Sequence, residues 1–354
     1  MKKRLPAVLQ NDIISFNNYA LPLCVINGDN KKEEWILEHF GNIYCQKNEE
    51  EYVMLDFLEQ YDYPKDVLEY EFMTYQEYSR INDIVSHVKG RVEQGYQVMI
   101  IVDNDCLNEK REHPLRHFPM QIYIYGYNDE TGMFSGMGYR SDFTFGEVYY
   151  KYEEVSKAFQ SFCEHYEVQK DWVSMYAEIY MRVREPGKEY RSSCDKILQE
   201  LREYYQSEKC MDKIRPEFLI GGGSPEFIFG REAQKLSVKA LYQLSEGNFK
   251  TDYRLIHLLC EQKKMICRKI EKLILEKRLE EDGNELKKEY QKQVVKKVNK
   301  ARLIFMMQVI EDNGRNQFYA QLKNKDAILA VIRLLEEAIE KEAEILEKIL
   351  KKGE

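Results

Sequence analysis

None of the eight cysteines stands in a Cys-x-x-Cys pair, no apolar run approaches bilayer length, and positive charge is in deficit. Each shortage excludes something. Cys24, Cys45, Cys106, Cys163, Cys194, Cys210, Cys260 and Cys267 are scattered through the chain. That argues against a disulfide framework and against a structural zinc site built on paired thiols. Without the roughly 18–20 consecutive apolar residues that cross a bilayer, no membrane partner is expected. The opening Met-Lys-Lys-Arg resembles the basic end of an export signal, but Pro6, Gln10, Asn11 and Asp12 interrupt the apolar core such a signal needs, and a cytoplasmic protein is expected. With 53 Lys+Arg against 61 Asp+Glu the formal net charge is -8, which disfavours a nucleic-acid partner. Local basic runs such as Lys296-Lys297 sit among alternating charges and read as a solvated helix face.

What is present describes a globular protein. The 354 residues, 44% hydrophobic and 32% charged, suffice for two domains of ordinary size. The first 230 or so mix strand and helix patterns. Lys32 to Phe40 reads as a short helix, Asn42 to Cys45 as a strand, and Thr74 to Glu93 as one longer helix with Ile81, Ile84, Val85, Val88 and Val92 on one face. Gln97 to Val102 is a continuous apolar run of strand length. A second strand-like run covers Trp172 to Val183, and Glu189 to Tyr205 reads as a helix. Irregular alternation of this kind predicts an α+β domain with a mostly antiparallel sheet.

Beyond Gly230 the periodicity becomes that of long amphipathic helices: Arg231 to Leu244, one capped by Thr251-Asp252, Asn284 to Glu311, and Asp326 to Lys351. Short interruptions between long helices predict a bundle. We therefore expect an α/β domain over 1–225 and a helical bundle over 226–354, divided at Gly221-Gly222-Gly223-Ser224. Those glycines lack the Lys and helix start of a phosphate loop and read as a linker.

The most informative stretch runs from Asp103 to Phe159. It reads as an approach loop containing His113 and His117, a strand at Gln121 to Asn128 ending Tyr-Gly-Tyr-Asn, an Asp-Glu-Thr-Gly turn, a strand at Met133 to Tyr139, and a helix starting near Tyr152. This layout resembles the central hairpin of papain-like proteins of the butirosin biosynthesis protein H (N-terminal domain) type, and more distantly the bacteriocin-processing cysteine peptidases. The later stretches FGREAQKLSVKALYQL and TDYRLIHLLCEQKKMICRKIEKL are similar to helices those proteins carry after their α/β domain. The resemblance implies a papain-like fold and acyl or peptidyl transfer from a carrier-protein thioester.

That chemistry needs a thiolate at a helix N-terminus, a histidine before the central strand and an Asp or Asn to orient it. The positions the resemblance points to depart from this. Met120 stands at the histidine position, Gly136 to Tyr139 offers no carboxylate or amide side chain, and Cys24 lies in an apolar, strand-like Leu-Pro-Leu-Cys-Val-Ile context. A relocated triad would draw on Cys24 or Cys106, with His117 and Asn128. His113 and His117 have the four-residue spacing of helical metal ligands, but Pro114 and Pro119 break a helix there, so neither a metal nor another cofactor is expected. Tyr123, Tyr125, Tyr127, Tyr149, Tyr150 and Tyr152 could line an apolar cleft, though packing accounts for most such clusters in a chain with 26 tyrosines. Two readings result: a papain-like accessory or binding protein of a peptide or polyketide assembly pathway whose triad is lost, with a carrier protein or biosynthetic enzyme as partner, or an active transferase. The sequence sets no oligomeric state.

Overall fold

The computed structural model describes residues 1–47, 53–59, 64–107, 117–140, 144–168, 172–214, 226–246, 251–252, 254–279, 282–313, 319–320 and 324–353. The strands are β1 (Lys2–Arg4), β2 (Ile43–Lys47), β3 (Val53–Phe57), β4 (Leu68–Met73), β5 (Gln97–Asp103), β6 (Pro119–Asn128), β7 (Met133–Tyr139), β8 (Phe145–Lys151), β9 (Glu178–Val183), β10 (Glu226–Phe229), β11 (Thr251–Asp252) and β12 (Tyr319–Ala320). The α-helices are α1 (Asn17–Ile26), α2 (Tyr75–Tyr78), α3 (Ile84–Glu93), α4 (Tyr152–His165), α5 (Trp172–Met175), α6 (Cys194–Gln206), α7 (Gly230–Ser245), α8 (Arg254–Leu275), α9 (Gly283–Tyr290), α10 (Lys296–Asn313) and α11 (Lys325–Lys352). The chain is thus α+β, with every sheet pairing among the described residues antiparallel.

Two compact units emerge, and they are not contiguous in sequence. One comprises Met1–Glu33 with Asp62–Tyr190, the other Glu34–Tyr61 with Arg191–Glu354. The boundary expected at 225 falls inside the second unit. The reason is long-range pairing: β10 pairs with β2, from Glu226↔Lys47 to Phe229↔Tyr44, and so draws an early segment into the helical half.

The first unit is built on a sheet ordered β4-β9-β5-β6-β7-β8. Strand β6 pairs with β7 along one edge and shares the other between two partners, β5 over 119–124 and β1 over Gly126 to Asn128. Val98, Ile100, Val102, Ile122, Ile124, Phe134 and Val148 form one face and pack with Val88 and Val92 of α3 and Val155, Phe159 and Phe162 of α4. A bulge between Ile124 and Gly126 adds one residue to β6, and the side-chain alternation changes phase. Tyr127 consequently joins the cluster of Ile122 and Ile124, whereas Tyr123 does not. The three tyrosines therefore do not line one common surface.

Local sequence explains most element ends. The helix expected over Thr74 to Glu93 is two helices, because Thr74 and Glu77 form a capping box at α2 and the Asp83 carboxylate accepts from Val85 N and Ser86 N to start α3. The Trp172 to Val183 run begins as the short α5 before β9, and the segment around Cys24 is helical. Residues 30–38 form a 3₁₀ rather than an α-helix.

In the second unit the sheet β10-β2-β3 accompanies helices α6 to α11. The helix read from Asn284 to Glu311 carries a π turn at Gln291–Val295. Thr251-Asp252, expected as a cap, instead pairs with Tyr319–Ala320 as a two-residue ladder.

Candidate active site

Asp103 closes the apolar strand β5, and the register Asp103↔Pro119 brings that strand end beside the chain entering β6. The carboxylate is 2% exposed and accepts four hydrogen bonds. His117 Nδ1 and Ser161 Oγ each donate to Oδ2 at 2.6 Å, while the amides of Asp105 and Phe118 donate to Oδ1 at 3.2 and 3.3 Å. Burial pushes its pKa up, but the bonds from His117, Ser161 and the two amides outweigh that and hold it below the usual carboxylate range. An ionised Asp103 fixes the His117 proton on Nδ1. The Nε2 lone pair is then turned away from the carboxylate.

Helix α4 supplies the rest. Ser161 and His165 are one turn apart, so both fall on the same helix face. His165 Nδ1 donates to Ser161 O at 2.8 Å, and its ring stacks on His117 with centroids 3.6 Å apart and planes inclined by 12°. These groups border a cleft of about 340 Å³, together with Phe118, Pro119, Phe162, Tyr166 and Glu167. A histidine of set tautomer, backed by a buried carboxylate beside a partly apolar cleft, has the geometry of a general base.

The triad drawn from the sequence is not assembled. Asn128 stands at the opposite end of β6 from His117, about 30 Å away along the strand, and its Oδ1 accepts from Glu130 N to shape the hairpin turn. Cys24 is in the last turn of α1, whose first turn holds Asn17 and Asn18. Its thiol is fully buried, and burial pushes its pKa up to about 12, a hydrogen bond from the Gln10 backbone opposing only in part. A thiolate there gains nothing from the positive end of the helix. Met120, opposite Val102, carries no titratable group, and His113 lies outside the described residues. Cys106 follows Asp103 within the 3₁₀ turn Asn104–Cys106 and is partly buried.

Sequence reading singles out His117 but sets it with Asn128, which stands at the far end of β6, rather than with Asp103. Asp103 and His165 were missed altogether. The acid at the end of an apolar run was a usable signal, but one that most strand ends share. Among the described residues, no helix is long and apolar enough to cross a membrane.

The thiol at Cys24 yields a direct expectation. At pH 8 a group with pKa about 12 is roughly 10⁻⁴ thiolate, against about a quarter for an ordinary cysteine, so iodoacetamide should label it at least about 10³-fold more slowly than the unfolded chain. Peptide mass spectrometry after timed alkylation checks this. Labelling of native Cys24 at the unfolded rate would place its sulfur in a reactive environment after all.

No protein-family model and no curated protein matches the chain.

Proposed function

We propose that this chain is a papain-like accessory or binding protein of a peptide or polyketide natural-product pathway, without thiol-based acyl transfer of its own. One observation carries the reading: the early cysteine is sealed in the last turn of α1, while the histidine of the hairpin is engaged with Asp103. The papain-like assignment draws support from an antiparallel sheet with a histidine at the mouth of its central strand and a helix early in the chain. A protein of this kind uses its cleft to hold a group attached to a carrier protein rather than to transfer it. Phe118 and Phe162 would take the apolar part, and His117 a polar atom.

The experiment is incubation of the purified protein with acyl and aminoacyl carrier-protein thioesters. The expected result is thioester loss no faster than background, with retention of the loaded carrier that weakens in Phe118→Ala. A second reading has one observation in its favour, namely that the Asp103–His117 pair already forms the base half of a catalytic apparatus, with Cys106 three residues beyond Asp103 in sequence. Carrier-dependent transfer abolished by His117→Ala and by Cys106→Ala would establish that active enzyme instead. General acid-base help is worth roughly 10²–10⁴-fold, so the difference is easily measured.

A further inference from the structure

The two stacked histidines share a feature that base catalysis does not require of both. Each has its Nδ1 engaged from behind, His117 by the Asp103 carboxylate and His165 by the Ser161 carbonyl, and both Nδ1 atoms lie 3.5 Å from Ser161 Oγ. With the rings nearly parallel and their Nδ1 atoms toward the same hydroxyl, both Nε2 atoms face away from Ser161 side by side. Anchoring of one ring nitrogen by a carboxylate or backbone carbonyl is the arrangement by which proteins orient metal-binding imidazoles. The spacing is also suitable. The rings lie 3.6 Å apart between centroids, close to the about 3.4 Å by which tetrahedral bonds of 2.0–2.1 Å separate two nitrogens, and Asp103, His117 and His165 each place a ligand-type atom within 4.8 Å of the others.

We propose that the Nε2 atoms of His117 and His165 bind a divalent transition metal of the zinc class, with Asp103 holding His117 from behind. The positions not filled by imidazole open to the cleft, where Glu167 stands at the border. Binding requires the ring planes to converge toward the metal instead of staying parallel: His117 keeps its bond to Asp103, and the exposed His165 ring tilts toward it at Nε2 without moving the sheet. Two further oxygens beside Asp103, Asn104 Oδ1 and Asp105 Oδ2, are buried without a hydrogen-bond partner among the described residues, which adds negative potential at this end of β5. Imidazole ligands suit zinc, copper, nickel and cobalt rather than magnesium or calcium. The metal proposal does not rest on the accessory-protein reading, and a metal on His117 Nε2 would take the place of the polar atom suggested there.

Cobalt(II) titration of the full-length, reduced protein tests this, followed by zinc competition against a chromophoric chelator. The expected result is one metal per chain, with visible d–d bands and no sulfur-to-cobalt charge transfer. His117→Ala and His165→Ala should each weaken binding by more than about 100-fold, and Asp103→Asn by about 10–100-fold, as for loss of an outer-shell partner. Circular dichroism melts show that the variants fold, and His165→Gln serves if alanine disturbs the end of α4. Absence of binding at millimolar cobalt, a thiolate-type spectrum, or affinity unchanged in either histidine variant would overturn the site.

Discussion

Replacing Glu342 with alanine will destabilise the second unit by about 3–5 kcal/mol, the loss typical when one member of a buried ion pair is removed. Lys263 and Glu342 are each 1% exposed and meet at 2.8 Å in the middle of the helices. Tyr204 Oη, Gln234 Oε1 and Gln262 Oε1 also lie within hydrogen-bond reach of the ammonium and share its three protons with the carboxylate, and Tyr290 Oη donates to the other Glu342 oxygen at 2.6 Å. Residues of α6, α7, α8, α9 and α11 thus converge on one ion pair. Burial pulls the Lys263 pKa down and Glu342 opposes that pull, so removal of the carboxylate leaves the ammonium with neutral acceptors only. Burial, with the Glu342 charge, also pushes the Tyr204 and Tyr290 phenols well up, keeping both protonated as donors. Trp35 is buried in the same unit, and with two tryptophans in the chain a Trp172→Phe background makes it the sole indole reporter of urea unfolding. The paired change Lys263→Met with Glu342→Leu should recover part of the loss, since well-packed apolar replacements remove both charges together. A cost under about 1 kcal/mol for Glu342→Ala, the range of exposed pairs, would show that water reaches the pair.

Glu200→Ala should cost a similar amount, about 3–5 kcal/mol, but through the early segment of the unit. Glu200 pairs with Lys269, which is fully buried and also donates to the carbonyls of Leu37 at 2.9 Å and His39 at 2.8 Å. The other carboxylate oxygen accepts from Gly41 N at 2.7 Å and Asn42 N at 3.2 Å. One side chain of α6 therefore satisfies an ammonium and two backbone donors of the segment leading into β2. Without it those amides lose their acceptor, at about 1–3 kcal/mol for each buried group left unpaired. Hydrogen exchange at Gly41 and Asn42 should accelerate before that of α8 or α11. Glu200→Gln, which can still accept from the amides, should fall between wild type and alanine. Unchanged exchange at the two amides would remove Glu200 from this role.

The parts of the fold that were legible in sequence are those whose determinants are local. The Asp-Glu-Thr-Gly turn fixed the hairpin of β6 and β7, with Gly132 at φ +63° where a side chain would be strained. The apolar run of β5 and the start of α4 at Tyr152 were equally plain. Helix α1 was misread because Pro22 within Leu-Pro-Leu-Cys-Val-Ile removes a helical donor and the apolar residues show no period. The domain division failed for a different reason: nothing near Tyr44 announces that its strand partner is Phe229. The site was half legible. His117 stood out in its loop, but its link to Asp103 depends on strand register, and its contact with His165 on how α4 lies across β5.

The interleaving of the two units has a consequence in time. Residues of the first unit are all synthesised by Tyr190, so its sheet can close while the ribosome is still at work. The segment 34–59 has no such option, since its partners begin with α6 and run to α8, which ends at Leu275. At roughly 5–20 residues per second it must wait about 10–45 s after emerging. Throughout that interval β2 and β3, with Ile43, Cys45, Leu55 and Phe57 destined for burial, form a hydrophobic hairpin with no partner on its β10 edge. Chaperone demand during synthesis should therefore centre on these residues rather than on the long helices made last.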